Sequence, residues 1–354
     1  MCSSTVNIGA KISGLPGSPM QPRRKARQKF MITRFIIITA LAFITLLKPT
    51  EAQPRKLTRI GYVTAESGSA PPEVFLQGIR GLGHIEGKTV AFEYRTSEGK
   101  PGRNPDLVAD LVRLKVDLIV AEGTSPSLAA KKATTTIPIV MVSTTDPVGT
   151  GIVASLSHPG GNVTGLTTVT GELGGKLLDI LKEVVPAVSR VVIPGPPPGS
   201  PSSDFFMKET ELPARALKIH IIRTTVNGRE DYENVFRVVA KERAHALLVR
   251  IPPFVPAEQR KQFVELAAKK RLPAIYQASS WVDIGGLLSY GADRNLQFQR
   301  AAVYVDKILK GAKPADLPIE QPMKFEFVIN LKAAKQIGLT IPPNVLVRAD
   351  RVIR

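Results

Sequence analysis

Three clusters of small polar residues, each just after a β-branched run, are the stretches best suited to hold a ligand. The first holds Thr64, Ser67 and Ser69. The second runs Glu122-Gly123-Thr124-Ser125-Pro126-Ser127, and the third Ser143-Thr144-Thr145-Asp146-Pro147. Each precedes a helical pattern. The first turn of a helix leaves N–H groups unpaired and carries partial positive charge, so such clusters can converge on a carboxylate. Ser125 and Asp146, each followed by proline, are also good helix caps. Capping alone explains either residue, while three clusters on one edge also fit ligand binding. Arg250 ends an apolar run and is either an anion partner or a surface charge. Tyr276, Trp281 and Tyr290 fall at or after strand patterns, as core residues or as rings that sandwich a flat ligand.

Catalytic patterns are thin. The four histidines, His84, His158, His220 and His245, have no metal-ligand spacing. No Gly-x-Ser-x-Gly elbow occurs. Gly171-Glu-Leu-Gly-Gly-Lys176 has the wrong glycine spacing for a phosphate loop, and Leu177 stands where Ser or Thr must hold magnesium. Gly78-Ile-Arg-Gly-Leu-Gly83 has dinucleotide-type glycines, but it ends a helix pattern instead of opening one. No catalytic residue, metal or cofactor is expected. The Pro194–Pro201 stretch reads as a stiff, extended loop and not as a phosphate cradle.

The elements that must position these clusters alternate between short apolar runs and amphipathic helical patterns. Strands are expected at 59–63, 89–95, 117–121, 137–142 and 163–167. Helices are expected at 72–82, 105–115, 125–134 and 147–156. The rhythm then restarts. Strands are expected at 190–193, 219–226, 246–251, 273–276, 287–290 and 324–330. Helices are expected at 176–185, 205–219 (bent or broken at Pro213), 231–243, 256–271, 295–310 and 331–337. Such alternation means βαβ units and parallel sheets. Ten or eleven strands suit two open sheets of about five better than one. The expected fold is α/β, with two Rossmann-like doubly wound lobes that divide near 167–175. Ligands then sit beyond the carboxyl ends of the strands.

The N-terminus reads as a leader. Met31–Arg34 is a short basic head, and 35–47 is an apolar run broken only by Thr39 and Thr45. Thr50-Glu51-Ala52 fits a signal-peptidase site. Thirteen residues make a helix of roughly 20 Å, short of a bilayer core. Residues 1–52, with their core at 31–52, are thus expected to be removed. Either Met1 or Met31 can be the start. The periplasm is the expected location. Eight Lys/Arg and one Asp/Glu fall in 1–52, so the remainder carries +11 of the total +18. That charge is spread along helices, and no zinc spacing, basic zipper or RNA-motif aromatics accompany it, so no nucleic-acid partner is expected. Cys2 is the sole cysteine, and the remainder folds without disulfides.

Several long runs together resemble one family. They include Leu111–Val120, Ala129–Thr134, Thr145-Asp-Pro-Val-Gly149, Pro159-Gly-Gly-Asn-Val-Thr-Gly165, Leu178–Pro186 and the stretch from Arg300 to Glu320. In this order they resemble substrate-binding proteins of ABC transporters, in the type I periplasmic-binding subfamily that includes tryptophan-binding lipoproteins. The resemblance implies two lobes joined by three crossings, a three-stranded hinge. One lobe is expected at 57–165 plus 289–314, the other at 170–285 plus 318–354. It implies a small, possibly amino-acid-like solute between them and delivery to an ABC permease in the inner membrane. It places Ser67, Thr124, Ser125, Thr145 and Asp146 on the first rim. Arg250, Tyr276 and Tyr290 are the candidates on the second. Family members often carry Asn-Pro-x-Asn-Pro where this chain has Pro194–Pro201. The alternative is a binding protein that presents its solute to a membrane receptor.

Overall fold

A computed structural model describes residues 57–65, 70–168, 173–199, 201–251 and 255–354. The expected leader at 1–52 lies outside these residues. The first part of the chain forms β1 (Thr58–Thr64), α1 (Glu73–Gly81), β2 (Val90–Thr96), α2 (Asn104–Arg113), β3 (Leu118–Glu122), α3 (Thr124–Ala133), β4 (Ile139–Thr144) and β5 (Val163–Thr167). There follow α4 (Leu173–Val184), β6 (Arg190–Gly195), α5 (Pro201–Ala216), β7 (His220–Thr225), α6 (Tyr232–Lys241), β8 (Ala246–Val249), α7 (Ala257–Lys269) and β9 (Ala274–Tyr276). The last elements are α8 (Ser279–Val282), β10 (Leu288–Ala292), α9 (Arg294–Leu309), β11 (Phe325–Asn330), α10 (Leu331–Ile337), α11 (Pro343–Leu346) and β12 (Arg351–Ile353).

Two sheets result. The first has order β2-β1-β3-β4-β5 and is parallel throughout. The second has order β12-β11-β10-β9-β8-β6-β7. Its β7-β6-β8-β9-β10 part repeats the first sheet's 2-1-3-4-5 order, and β11 then adds antiparallel to β10. This is the doubly wound order whose switch point lies at its first and third strands. Every residue of β3 and of β8 is buried, as expected where helices cover both faces of a parallel sheet.

The expected helix at 147–156 is absent. Asp146 Oδ1 accepts from Gly149 N–H at 2.8 Å, and Gly151 lies at φ +72°. Asp146 caps the first turn, but Gly151 N–H donates to Val148 O at 2.9 Å and its left-handed backbone ends the turn there. The β4–β5 connection packs Ile152 and Val153 under the face that α2 and α3 cover. The opposite face carries α1 and, beside it, α9, which arrives only after the chain has built most of the second sheet. The second sheet has the mirror arrangement. There α5 is joined by α4, which arrives directly from the first sheet. Each sheet is therefore completed by a helix delivered across the junction.

Both delivered helices are seated on glycines. A Cβ on Gly78 of α1 would lie 2.8 Å from Ala302 Cβ of α9. A Cβ on Gly174 of α4 would lie 2.1 Å from Thr210 Oγ1 of α5, and one on Gly175 would lie 3.0 Å from Pro213 Cγ. Gly78, Gly174 and Gly175, three of the glycines in the nucleotide-like stretches, are thus close helix contacts.

Three crossings join the sheets: after β5, between β10 and α9, and before β11. The residues 289–292, expected with the first lobe, hydrogen-bond in the second sheet as part of β10. Residues 318–320, expected with the second, run beside β5. Ile319 N–H donates to Leu156 O at 2.7 Å and Glu320 N–H to Gly165 O at 3.0 Å. Asp293 N–H donates to Lys324 O at 3.1 Å, tying the second and third crossings together. Arg300 Nε holds Glu320 Oε2 at 2.9 Å.

Gly78→Ala should cost about 1–3 kcal/mol by overpacking, and Ala302→Gly should recover part of that loss in thermal denaturation. Gly81→Ala, with nothing within 4 Å of its Cβ, should be neutral or slightly stabilising. Equal effects at 78 and 81 would contradict the close contact. The Arg300 hydrogen bond lowers the Glu320 pKa, outweighing the opposing effect of burial. A carboxyl lowered in the fold lends stability above its unfolded pKa and loses it as pH falls through the folded value. Glu320→Gln should therefore flatten the fall in melting temperature between about pH 5 and pH 3; an unchanged slope would contradict it.

Candidate functional site

The carboxyl ends of both sheets meet at the crossings. β5 ends at Thr167 and β10 at Ala292, and each leads straight into the other half. Gln297, one turn into α9, closes the corner. Its Nε2 donates to Thr167 O at 3.1 Å and its Oε1 accepts from Ser143 Oγ at 2.8 Å.

The first rim is built from the ends of β3 and β4. Gly123, at φ +96°, precedes α3 and supplies no side-chain cap. Thr124 Oγ1 accepts from Thr145 N–H at 3.0 Å, so these two expected residues are brought together. Ser125 Oγ accepts from Asn104 Nδ2 at 2.9 Å. Thr145 Oγ1 lies 3.4 Å from Thr168 Oγ1 across the edge of the sheet. Asp146 is on the same loop, but its carboxylate caps the turn at Gly149. Ser143 at φ +55° and Asp146 at φ +42° hold left-handed backbone on either side of Thr144 and Thr145. The β4–β5 register also shifts between Met141 and Thr144. Two non-glycine residues in that region at one strand end are the kind of stored strain that gathers at binding sites. Ser67 lies outside the described residues.

Beneath this rim lies an ion pair that sequence reading missed. Glu122, buried at the end of β3, accepts from Tyr62 Oη at 2.8 Å and from Arg294 Nη2 at 2.5 Å. Arg294 opens α9, and its Cζ stands 5.0 Å from the Phe298 ring centroid. Asn104, Arg294 and Gln297 are all separated from their partners by long stretches of chain, so no local pattern marks them.

On the second rim, Arg250 follows β8. Its guanidinium carbon stands 4.1 Å from the centroid of the Phe206 ring, and Nε donates to Gln277 Oε1 at 3.3 Å. Burial, with a smaller push from neighbouring Arg223, lowers its pKa to about 9, so the group stays charged at neutral pH. Arg223 itself donates to Ser203 Oγ at 2.8 Å and Asp204 Oδ1 at 3.2 Å. Gly195 leaves space for Arg250, since a Cβ there would come within 3.0 Å of the arginine Cβ.

The aromatic candidates sit elsewhere. Tyr276 is 1% exposed and stacks on Trp281 with centroids 5.0 Å apart, inside the core under α6 and α7. Its ring is core and not rim, because its side chain leaves β9 toward the helix-covered face. Tyr290 is half-buried in mid-strand and stacks on Phe325 at 5.4 Å. Burial, aided by Asp350, pushes its phenol pKa up. Among the described residues, no group of His, Cys, Asp and Glu could hold a metal ion, and no helix is long and apolar enough to cross a membrane.

Comparison with known proteins agrees with this architecture. The family described as ABC transporter substrate binding protein matches residues 63–353. A tyrosine-binding protein of Clostridioides difficile (strain R20291) is 23% identical over 282 residues, 75% of this chain and 75% of the relative. A conserved domain protein from Vibrio cholerae superposes with a TM-score of 0.78 at 29% identity, covering 84% of this chain and all of that one. An ABC domain in complex with L-Trp from Streptococcus pneumonia gives 0.75 at 26% identity, with the same coverage. With two doubly wound sheets joined by three crossings, the chain has the type I periplasmic-binding fold and belongs to the ABC transporter substrate-binding protein family.

Proposed function

We propose that this protein binds a small carboxylate-bearing solute between its lobes outside the cytoplasm and delivers it to an ABC permease, without catalysing a reaction. The carrying observation is the chemistry of the two carboxyl edges. One presents Thr124 and Ser125 at the start of α3, with Thr145 after β4 beside them. The other presents Arg250, held in place by Phe206 and Gln277. Both suit an anionic oxygen, through helix-start N–H groups and hydroxyls on one side and a guanidinium on the other. A solute that touches both edges stabilises only the state in which the lobes are closed on it. The leader read at 1–52 supports export.

The solute is amino-acid-like in this reading. The tyrosine-binding relative and the L-Trp complex make L-tyrosine and L-tryptophan the first compounds to test. The expected extended loop at Pro194–Pro201 is instead the end of β6, a turn at 196–199 with Gly199 at φ +83°, and the start of α5; other organic acids belong in the same panel.

The purified protein should gain about 2.7 kcal/mol of stability from its solute at a hundredfold excess over the dissociation constant. Flat melting curves across amino acids and carboxylates would contradict the reading. Arg250→Met should weaken binding of that solute about 10- to 100-fold, the range set by loss of a charged hydrogen bond. Calorimetric titration checks this, and unaltered affinity would remove Arg250 from the site.

A further inference from the structure

Three helices of the second half end in the same turn at the amino edge of its sheet, the edge opposite the carboxyl ends. Ile219 N–H donates to Ala214 O at 2.8 Å, Ala244 N–H to Val239 O at 2.9 Å and Leu272 N–H to Ala267 O at 3.0 Å. The residue just before each donor takes left-handed backbone: Lys218 at φ +54°, Arg243 at φ +50° and Arg271 at φ +52°. Glycine usually fills that position, because a Cβ is strained there. In this chain it is filled by three exposed cations.

The strands set these cations in a row. β7, β6, β8 and β9 are parallel neighbours, so all four start on this edge. Adjacent strands lie about 4.8 Å apart, so the three turns line up over roughly 15 Å. Arg190 starts β6, and its Nε donates to Arg243 O at 3.0 Å, which adds a fourth cation. Among the described residues, none of the four has a carboxylate partner. Glu242 is the one acid in the connections 185–190, 217–220, 242–246 and 270–274. A helix C-terminus favours a nearby cation, but that holds equally in the first half, where the edge is balanced. There Lys115 takes the same backbone after α2, at φ +53°, with Asp117 two residues on. Lys88, before β2, is matched by Glu86.

We propose that the amino edge of the second sheet docks the protein on an anionic lipid surface through Arg190, Lys218, Arg243 and Arg271. A row of cations on short turns suits a layer of phosphate headgroups, and no element that reads a nucleic acid accompanies it. Among the described residues no helix is long and apolar enough to cross a membrane, so this attachment is peripheral. The carboxyl edge lies at the other end of the same strands, and docking leaves it open. The inference does not depend on which solute is bound there.

The test is co-sedimentation of the purified protein with phosphatidylcholine vesicles, pure or with about one-quarter phosphatidylglycerol. The protein should sediment with the anionic vesicles at about 0.1 M salt and be released at about 0.5 M. Replacing Lys218, Arg243 and Arg271 together by glycine should weaken partitioning about 100-fold, from about fivefold for each cation. Glycine suits all three backbone positions, so this variant should melt close to the wild type. A control with the same net charge, Lys88→Gln with Lys115→Gly and Lys132→Gln, removes exposed cations from the first half and should lose less than about fivefold. Equal losses in the two triple variants, equal binding to pure phosphatidylcholine, or no binding to either vesicle would overturn the assignment. Binding of single-stranded DNA but not of anionic vesicles would overturn it in favour of a nucleic-acid partner. None of these outcomes touches the solute reading, since solute affinity should be the same in the glycine variant and the wild type.

Discussion

Neither sheet of this protein can bury both of its faces with its own run of chain. In the first, α2, α3 and the β4–β5 connection cover one face, and the other face, where α1 packs, is completed only by α9. In the second, the face beside α5 depends on α4, which comes straight from the first sheet. Uncovered parallel strands would expose continuous apolar runs such as Leu118–Ala121 and Ala246–Val249, at roughly 25 cal/mol for each Å² of apolar surface. The reciprocal delivery of one helix makes the crossings a condition of folding and not a linker added between finished domains. It also explains why glycines sit at the α1–α9 and α4–α5 contacts, where close approach leaves no room for a side chain.

The same exchange positions the site. A delivered helix enters at the carboxyl edge of the sheet it completes, so its first turns lie among the strand ends. Arg294 and Gln297 reach Glu122, Ser143 and Thr167 for that reason. The edge where a solute would bind is thus tied to the crossings about which the lobes would move. Rim geometry and hinge geometry are coupled by hydrogen bonds within one turn of α9. Arg300 and Tyr304, further along the helix, hold Glu320 and Pro318 of the third crossing in the same way.

Much of this was legible in the sequence because parallel strands buried on both faces read as short unbroken apolar runs. Among the described residues, periodicity located every helix of seven residues or more and missed the four-residue α8 and α11. It failed at 147–156, where apolar spacing suggested a helix but Gly151, in the left-handed region, ends the turn that Asp146 caps. It also missed β12, a three-residue strand with no buried residue. On the rims, Thr124 and Thr145 could be found, since small polar residues at strand ends are local signals. Their hydrogen bond, and the roles of Asn104, Arg294 and Gln277, depend on pairings between distant segments. The aromatic residues misled in a different way. Tyr276 lies at a strand end as the pattern required, yet its ring leaves the strand toward the core. Asn162, in the Pro-Gly-Gly-Asn run that carries the family resemblance, braces the loop before β4 by donating to Thr134 O and Ile137 O.

Small-angle X-ray scattering, with and without a saturating solute, measures most directly whether two hinged lobes grip a guest. Closure about the three crossings predicts a smaller radius of gyration in the bound state, reversed when the solute is dialysed away. An unchanged profile with the solute demonstrably bound would contradict a site shared between the two carboxyl edges.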